Sequence, residues 1–193
     1  ELKGYARHEP IWVWTPKVIS ASRARRIAVP DPHTQPSVAV MPFDNLSGDP
    51  GRDNFIDGMV EEVTASLARV REFLVIARQS AATYRGKSLG AKEIAAELGV
   101  RYILQGSVRF SDRRMRVSLN LVDGETALQI WSERIDAEID DLFQVQDYIA
   151  ETVSGALHPT IRRAEIERAR RRPPDNLVAY DLVMRALPHL WAH

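Results

Sequence analysis

The hydrophobic positions change period several times along the chain. Val38-Ala39-Val40-Met41-Pro42-Phe43 is a continuous apolar run, the pattern of a strand buried on both faces. Asp44 to Gly51 follows, dense in turn-forming residues. Ile56, Met59, Val60, Val63, Leu67 and Val70 then recur at helical spacing. Asp53, Asp57 and Glu61 lie early in that helix, where the macrodipole favours negative charge. Phe73 to Ala77 is a second buried strand. Two such strands joined by a helix predict a right-handed βαβ unit with parallel pairing.

Ala91 to Leu98 is a shorter helix, closed by Gly99 as its C-cap. Val100, Tyr102, Leu104, Gly106, Val108 and Phe110 alternate along a long strand, and Ser111-Asp112-Arg113 turns it. Met115, Val117, Leu119 and Leu121 alternate on the return strand, with Arg116, Ser118 and Asn120 on a wet opposite face. Asp123-Gly124-Glu125 turns again into a last strand from Leu128 to Ile135. Ile139, Leu142, Val145, Ile149, Val153 and Ala156 trace a final helix, which His158-Pro159 is expected to interrupt. The pattern predicts an α/β fold: a mixed β-sheet with packed helices, in the order β-α-β-α-β-β-β-α, followed by the start of a helical repeat.

The flanks differ from this module, which spans 37–158. Residues 1–15, with the aromatic and β-branched run Ile11 to Trp14, look like the end of a β-rich domain. Residues 16–36 carry four prolines and Arg23-Ala24-Arg25-Arg26 without a period, as a linker does. Residues 159–175 form a basic helix, Ile161 to Arg172, stopped by Pro173-Pro174. Residues 176–193 are apolar again and read as one helix, which cannot bury its face alone. The chain starts without Met, in mid-pattern, and is expected to be a fragment of a longer protein.

Composition narrows the function. The 193 residues are 45% hydrophobic and 27% charged, which is globular. Net charge is zero, so no whole-chain basic footprint for nucleic acid exists. The charge is uneven: residues 37–157 carry a net of minus six between two basic flanks, which could dock on that acidic surface. With no cysteine, disulfides, zinc-thiolate sites and cysteine nucleophiles are excluded. No apolar run approaches the roughly 18 residues of a membrane helix, and a cytoplasmic protein is expected.

Chemical motifs are sparse. No nucleotide-binding glycine loop, Walker loop or nucleophile elbow occurs. The histidines have no metal-ligand spacing, and the acids from Asp44 to Asp57 lack the closing Glu of an EF-hand loop. No catalytic or metal-binding residue is assigned. One geometric candidate remains. Parallel strands at 38–43 and 73–77 would place their C-terminal ends on one sheet edge, where open α/β sheets bind ligands. That edge would gather Asn45 and Ser47 with Arg78, Gln79 and Ser80 as a ligand or partner cleft. Arg78 would either clamp a carboxylate or phosphate there or pair with Asp44 or Asp49.

Taken together, Ser37 to Pro50, Phe55-Ile56-Asp57-Gly58-Met59, Val75-Ile76-Ala77-Arg78, Tyr84-Arg85-Gly86-Lys87, Glu97 to Arg109, Trp131-Ser132-Glu133-Arg134 and Asp141 to Asp147 resemble the TolB-like amino-terminal domain. Bacterial signalling proteins place that domain ahead of tetratricopeptide repeats, and Arg172 to Leu182 is similar to the lead-in to such repeats. Glu1 to Arg7 with Pro10 to Trp14 is similar to the last hairpin of a class III nucleotide cyclase domain. The resemblance implies a non-catalytic regulatory or interaction module of an adenylate or guanylate cyclase. Its implied partners are the upstream cyclase domain, the downstream repeats, a second copy in a homodimer, and an unknown protein or small-molecule signal. Mg2+ and ATP would be needed only by the upstream domain, and no cofactor by this stretch. The alternatives are an interaction module of a winged-helix transcriptional regulator and a nucleotide-processing fragment.

Overall fold

The structure is a computed structural model that describes residues 35–139, 141–173 and 178–190. The expected cyclase-like tail at 1–15 and nearly all of the linker at 16–36 lie outside the described residues. Within them the elements run β1 (Ser37–Val40), β2 (Asp44–Asn45), α1 (Asp53–Ala68), β3 (Leu74–Val75), α2 (Arg78–Ala82) and α3 (Ala91–Leu98). They continue with β4 (Tyr102–Ser111), β5 (Arg114–Asp123), β6 (Gln129–Glu138), α4 (Leu142–Arg171) and α5 (Ala179–Leu190).

The strands form one mixed sheet in the order β3-β1-β4-β5-β6, with β2 also paired to β4. β1 is parallel to β3 (Ser37 opposite Leu74) and to β4 (Val38 opposite Tyr102), so the expected parallel unit is present. β4, β5 and β6 form an antiparallel meander. β2 and α2 are too short for a periodic signal: two residues of β2 sit inside a turn-like stretch, held by their parallel register on Ser107 and Val108.

Side-chain alternation divides the core. Val38, Val40, Tyr102, Leu104 and Val108 face α1 and α4 and are at most 1% exposed. From α1 they meet Ile56, Met59, Val60, Val63 and Leu67, the stripe that the helical period marked. Ala39, Met41 and Ile103 face the other way, onto Ala81, Ile94 and Ala95. The second face is covered only near β1 and the start of β4, so the meander shows one side to water. Its pattern on β5 follows: Met115, Val117, Leu119 and Leu121 are buried while Arg114 and Arg116 are exposed.

Two glycines decide close approaches. A Cβ at Gly124 would stand 2.3 Å from the Ala95 Cβ and 3.1 Å from the Arg101 carbonyl, so only glycine lets the β5–β6 turn seat on α3. A Cβ at Gly106 would stand 2.7 Å from the Phe43 ring, which packs on β4 at that point. Gly99 has φ 65°, the left-handed conformation that ends α3 as expected.

The expected break at His158-Pro159 is absent. α4 is one helix of 30 residues, from an Asp141 cap that accepts from the amides of Phe143 (2.9 Å) and Gln144 (3.2 Å). Pro159 and Gly155 both lie on its exposed side, so water can satisfy the carbonyl that proline leaves without a donor. Ile161, assigned above to a separate basic helix, is fully buried in the main core. The single α5 is not left bare on both sides either: Met184, with Tyr180 and Leu187, packs on Ile166 and Ala169 of α4.

Candidate functional site

Two constructions bear on function: an open polar cleft and a buried polar junction. The cleft, of about 610 Å³, lies beyond the C-terminal end of β1. One wall is the segment Met41 to Asn45, and the other is the α2–α3 loop from Tyr84 to Leu89. Chain direction creates the opening. β1 leads into α1 on one face of the sheet, whereas β3 leads into α2 and α3 on the other. The two connections diverge, and a crevice opens between them. The floor is the wet side of β4 and β5, with Gln105 directly opposite Asn120.

Of the residues expected there, Asn45 lines the cleft and Ser47, Arg78, Gln79 and Ser80 do not. Asn45 and Ser47 serve local structure. The Asn45 amide donates to the Asp53 carboxylate (2.7 Å) and the Asp49 carbonyl (2.9 Å), and Asn45 Oδ1 accepts from the Ser47 amide (3.0 Å). Arg78 pairs with Glu61 of α1 at 3.9 Å rather than with Asp44 or Asp49. The reason is α2, which begins at Arg78 and turns these residues toward α1.

The basic groups at the cleft are instead Arg85 and Lys87, which the reading of strand ends did not reach because they lie beyond α2. Arg85 is engaged with Asp57. The Lys87 ammonium sits 4.6 Å from the centre of the Tyr84 ring. The Tyr84 hydroxyl donates to Glu97 (2.8 Å), and that hydrogen bond raises its pKa above the usual value. Among the described residues, no group of three or more His, Asp or Glu side chains converges as metal ligands do.

The junction joins the sheet to α4 and α5. Arg101 and Glu165 are 7% and 2% exposed and form an ion pair. The Tyr102 hydroxyl donates to the same carboxylate at 2.5 Å. Burial, and then the Glu165 charge, push the hydroxyls of Tyr102 and Tyr180 far above the usual range, so both stay protonated donors. Burial works against the Arg101 charge, but Glu165 outweighs it and raises the guanidinium pKa.

Around this centre Arg172 pairs with the buried Asp181 (2.8 Å), whose carboxylate also accepts from the Val178 amide (3.2 Å). Arg185 of α5 donates to the Ala169 carbonyl (2.8 Å) and to that of Arg172, so a cation closes the C-terminal end of α4. Arg168 engages Glu125 of the β5–β6 turn. The sequence reading placed 161–172 in a basic helix and gave Glu165 no role. The signal was there: Glu165 is four residues from both Ile161 and Ala169, on the face they bury.

No family model matches the chain. A Rhizobium meliloti (strain 1021) protein named "Putative adenylate cyclase 3" is 39% identical over 188 residues. The match covers 96% of this chain and 32% of that protein. Among solved structures, TolB from Acinetobacter baumannii aligns over 66% of this chain and 28% of its own, with 19% identity and a TM-score of 0.46. The lipoprotein GNA1162 from Neisseria meningitidis aligns over 62% of this chain and 99% of its own, with 16% identity and a TM-score of 0.47. The chain thus spans about a third of the length of the curated relative it matches, and it is similar to that protein over nearly its own whole length.

Proposed function

We propose that this chain is a regulatory or interaction module of a multidomain class III adenylate or guanylate cyclase, in which it couples binding of a signal or partner to cyclic-nucleotide synthesis. The observation that carries the reading is the alignment with a cyclase-named protein, which takes in 96% of this chain and leaves two thirds of that protein unmatched. In this reading the cyclase active site, with its ATP and Mg2+, belongs to the upstream domain, and tetratricopeptide repeats follow. The parent protein works in the cytoplasm. The buried junction supports a coupling role. A helix tethered only by a flexible linker transmits no displacement, whereas α5 is packed and hydrogen-bonded onto α4. A push on α5 therefore reaches the sheet through Glu165 and Arg101.

The test compares cyclase activity of the full-length parent with a version ended after Thr15, with equal dimer content verified by light scattering. A marked rise or fall in activity at unchanged dimer content is expected. Identical activity and identical response to cell extract would remove the regulatory role.

A further inference from the structure

The cleft holds two exposed charges of opposite sign that have no ion-pair partner among the described residues. Among the described residues, Lys87 has a tyrosine face beside it but no carboxylate, and Asp44 on the opposite wall has no cation. The other charged side chains there are engaged: Arg85 with Asp57, and Asp53 with Asn45. Between the walls, the side chains of Gln105, Ser107 and Asn120 are half-buried and hydrogen-bond to no other described residue. Asn45, on the neighbouring wall, is by contrast hydrogen-bonded to Ser47 and to Asp53. An anion-seeking group, a cation-seeking group and a row of free amides and hydroxyls therefore line one concave space.

We propose that this cleft binds a small zwitterion, a free amino acid or short peptide, through its carboxylate at Lys87 and its ammonium at Asp44, with Gln105 and Asn120 taking its remaining polar atoms. A simple anion would leave Asp44 facing it, and a simple cation would leave Lys87 doing so. Only a ligand bearing both charges complements both walls. The volume, about 610 Å³, lies in the range of small-molecule sites and admits a dipeptide as well as a single amino acid. This site stands whether or not the chain regulates a cyclase, because binding is read on the chain alone.

The experiment uses the 193-residue chain in thermal unfolding and isothermal titration calorimetry. The probes are the proteinogenic amino acids, a set of glycyl dipeptides, propionate and propylamine as single-charge controls, and ATP. At least one zwitterion is expected to raise Tm and to titrate saturably. Loss of one charge-assisted hydrogen bond weakens binding by about tenfold or more, so Lys87→Met and Asp44→Asn should each do so. Asn120→Leu should also weaken it, while Ser132→Ala on β6 should not. Lys87 and Asp44 are exposed, so these variants keep the fold, which circular dichroism verifies. Binding by amino acids, by dipeptides or by both supports the site and says which is its ligand. Absence of binding by every zwitterion, equal binding by propionate, binding of ATP alone, or unchanged affinity in both charge variants overturns it.

Discussion

Glu165 is the buried carboxylate that ties α4 to the sheet. It compensates the buried Arg101 charge and accepts from Tyr102. Removing one partner of a buried pair leaves the other desolvated and unpaired, at a cost of about 3–5 kcal/mol. Glu165→Gln should therefore lower the urea midpoint strongly, and a midpoint equal to the parent's would show that water reaches Arg101. Tyr102→Phe keeps the ring and loses one hydrogen bond to a charge, so about 2 kcal/mol is expected in the same measurement. Glu72 makes a different prediction. Burial pushes its carboxyl up, but hydrogen bonds from His158 and Arg162 outweigh this and hold it below the ordinary 4.5. A folded-state pKa below the unfolded one stabilises the protein above the unfolded value, and that stability is lost as pH falls through the folded one. Stability should thus decline as pH falls below about 4.5, and Glu72→Gln should flatten that part of the acid-unfolding profile; an unchanged profile would place the linkage elsewhere. Neither Glu165 nor Glu72 was legible as a partner in the sequence, because both partnerships join residues more than sixty positions apart.

At the scale of elements, period carried the reading a long way. α1, β4 and β5, each with four or more helically spaced or alternating apolar residues, lie where that spacing places them. β2 and α2 were missed because two strand residues and one and a half turns leave no period to count. That omission moved the site: α2 carries Arg78 toward Glu61 and brings Arg85 and Lys87 to the cleft. The continuous α4 was missed for the opposite reason. Proline is a strong local breaker, yet tertiary burial of Leu157 and Ile161 on either side of Pro159 holds the helix together. Interior proline costs up to about 3 kcal/mol relative to alanine. Pro159→Ala should raise Tm accordingly, since the site is exposed and a smaller side chain meets no neighbour there. No change in Tm would mean that the helix is already bent to suit proline.

At the scale of the whole molecule, the question is whether α5 belongs to the α/β module or hangs from it. Met184 is buried on α4, and Tyr180 and Leu187 are half-buried beside it. A fully buried side chain of this kind contributes roughly 1.5–3 kcal/mol. A chain ended after Pro173 should lose about 3 kcal/mol in urea denaturation, and an unchanged midpoint would make α5 a passive appendage.

The strands of the meander and the apolar stripe of α1 follow from local order, because alternation and helical spacing are properties of neighbours in the chain, and the parallel β1–β3 pair follows from the helix that connects them. So does the wet face that floors the cleft, since the same alternation that buries Leu119 turns Asn120 outward. The cleft's walls, the Arg101–Glu165 pair and the seat of α5 follow from which distant segments the topology stacks together. Those contacts depend on strand order and on the close approach at Gly106 and Gly124. No periodicity records either one, because the residues involved meet only once the sheet has formed and the helices have packed on it.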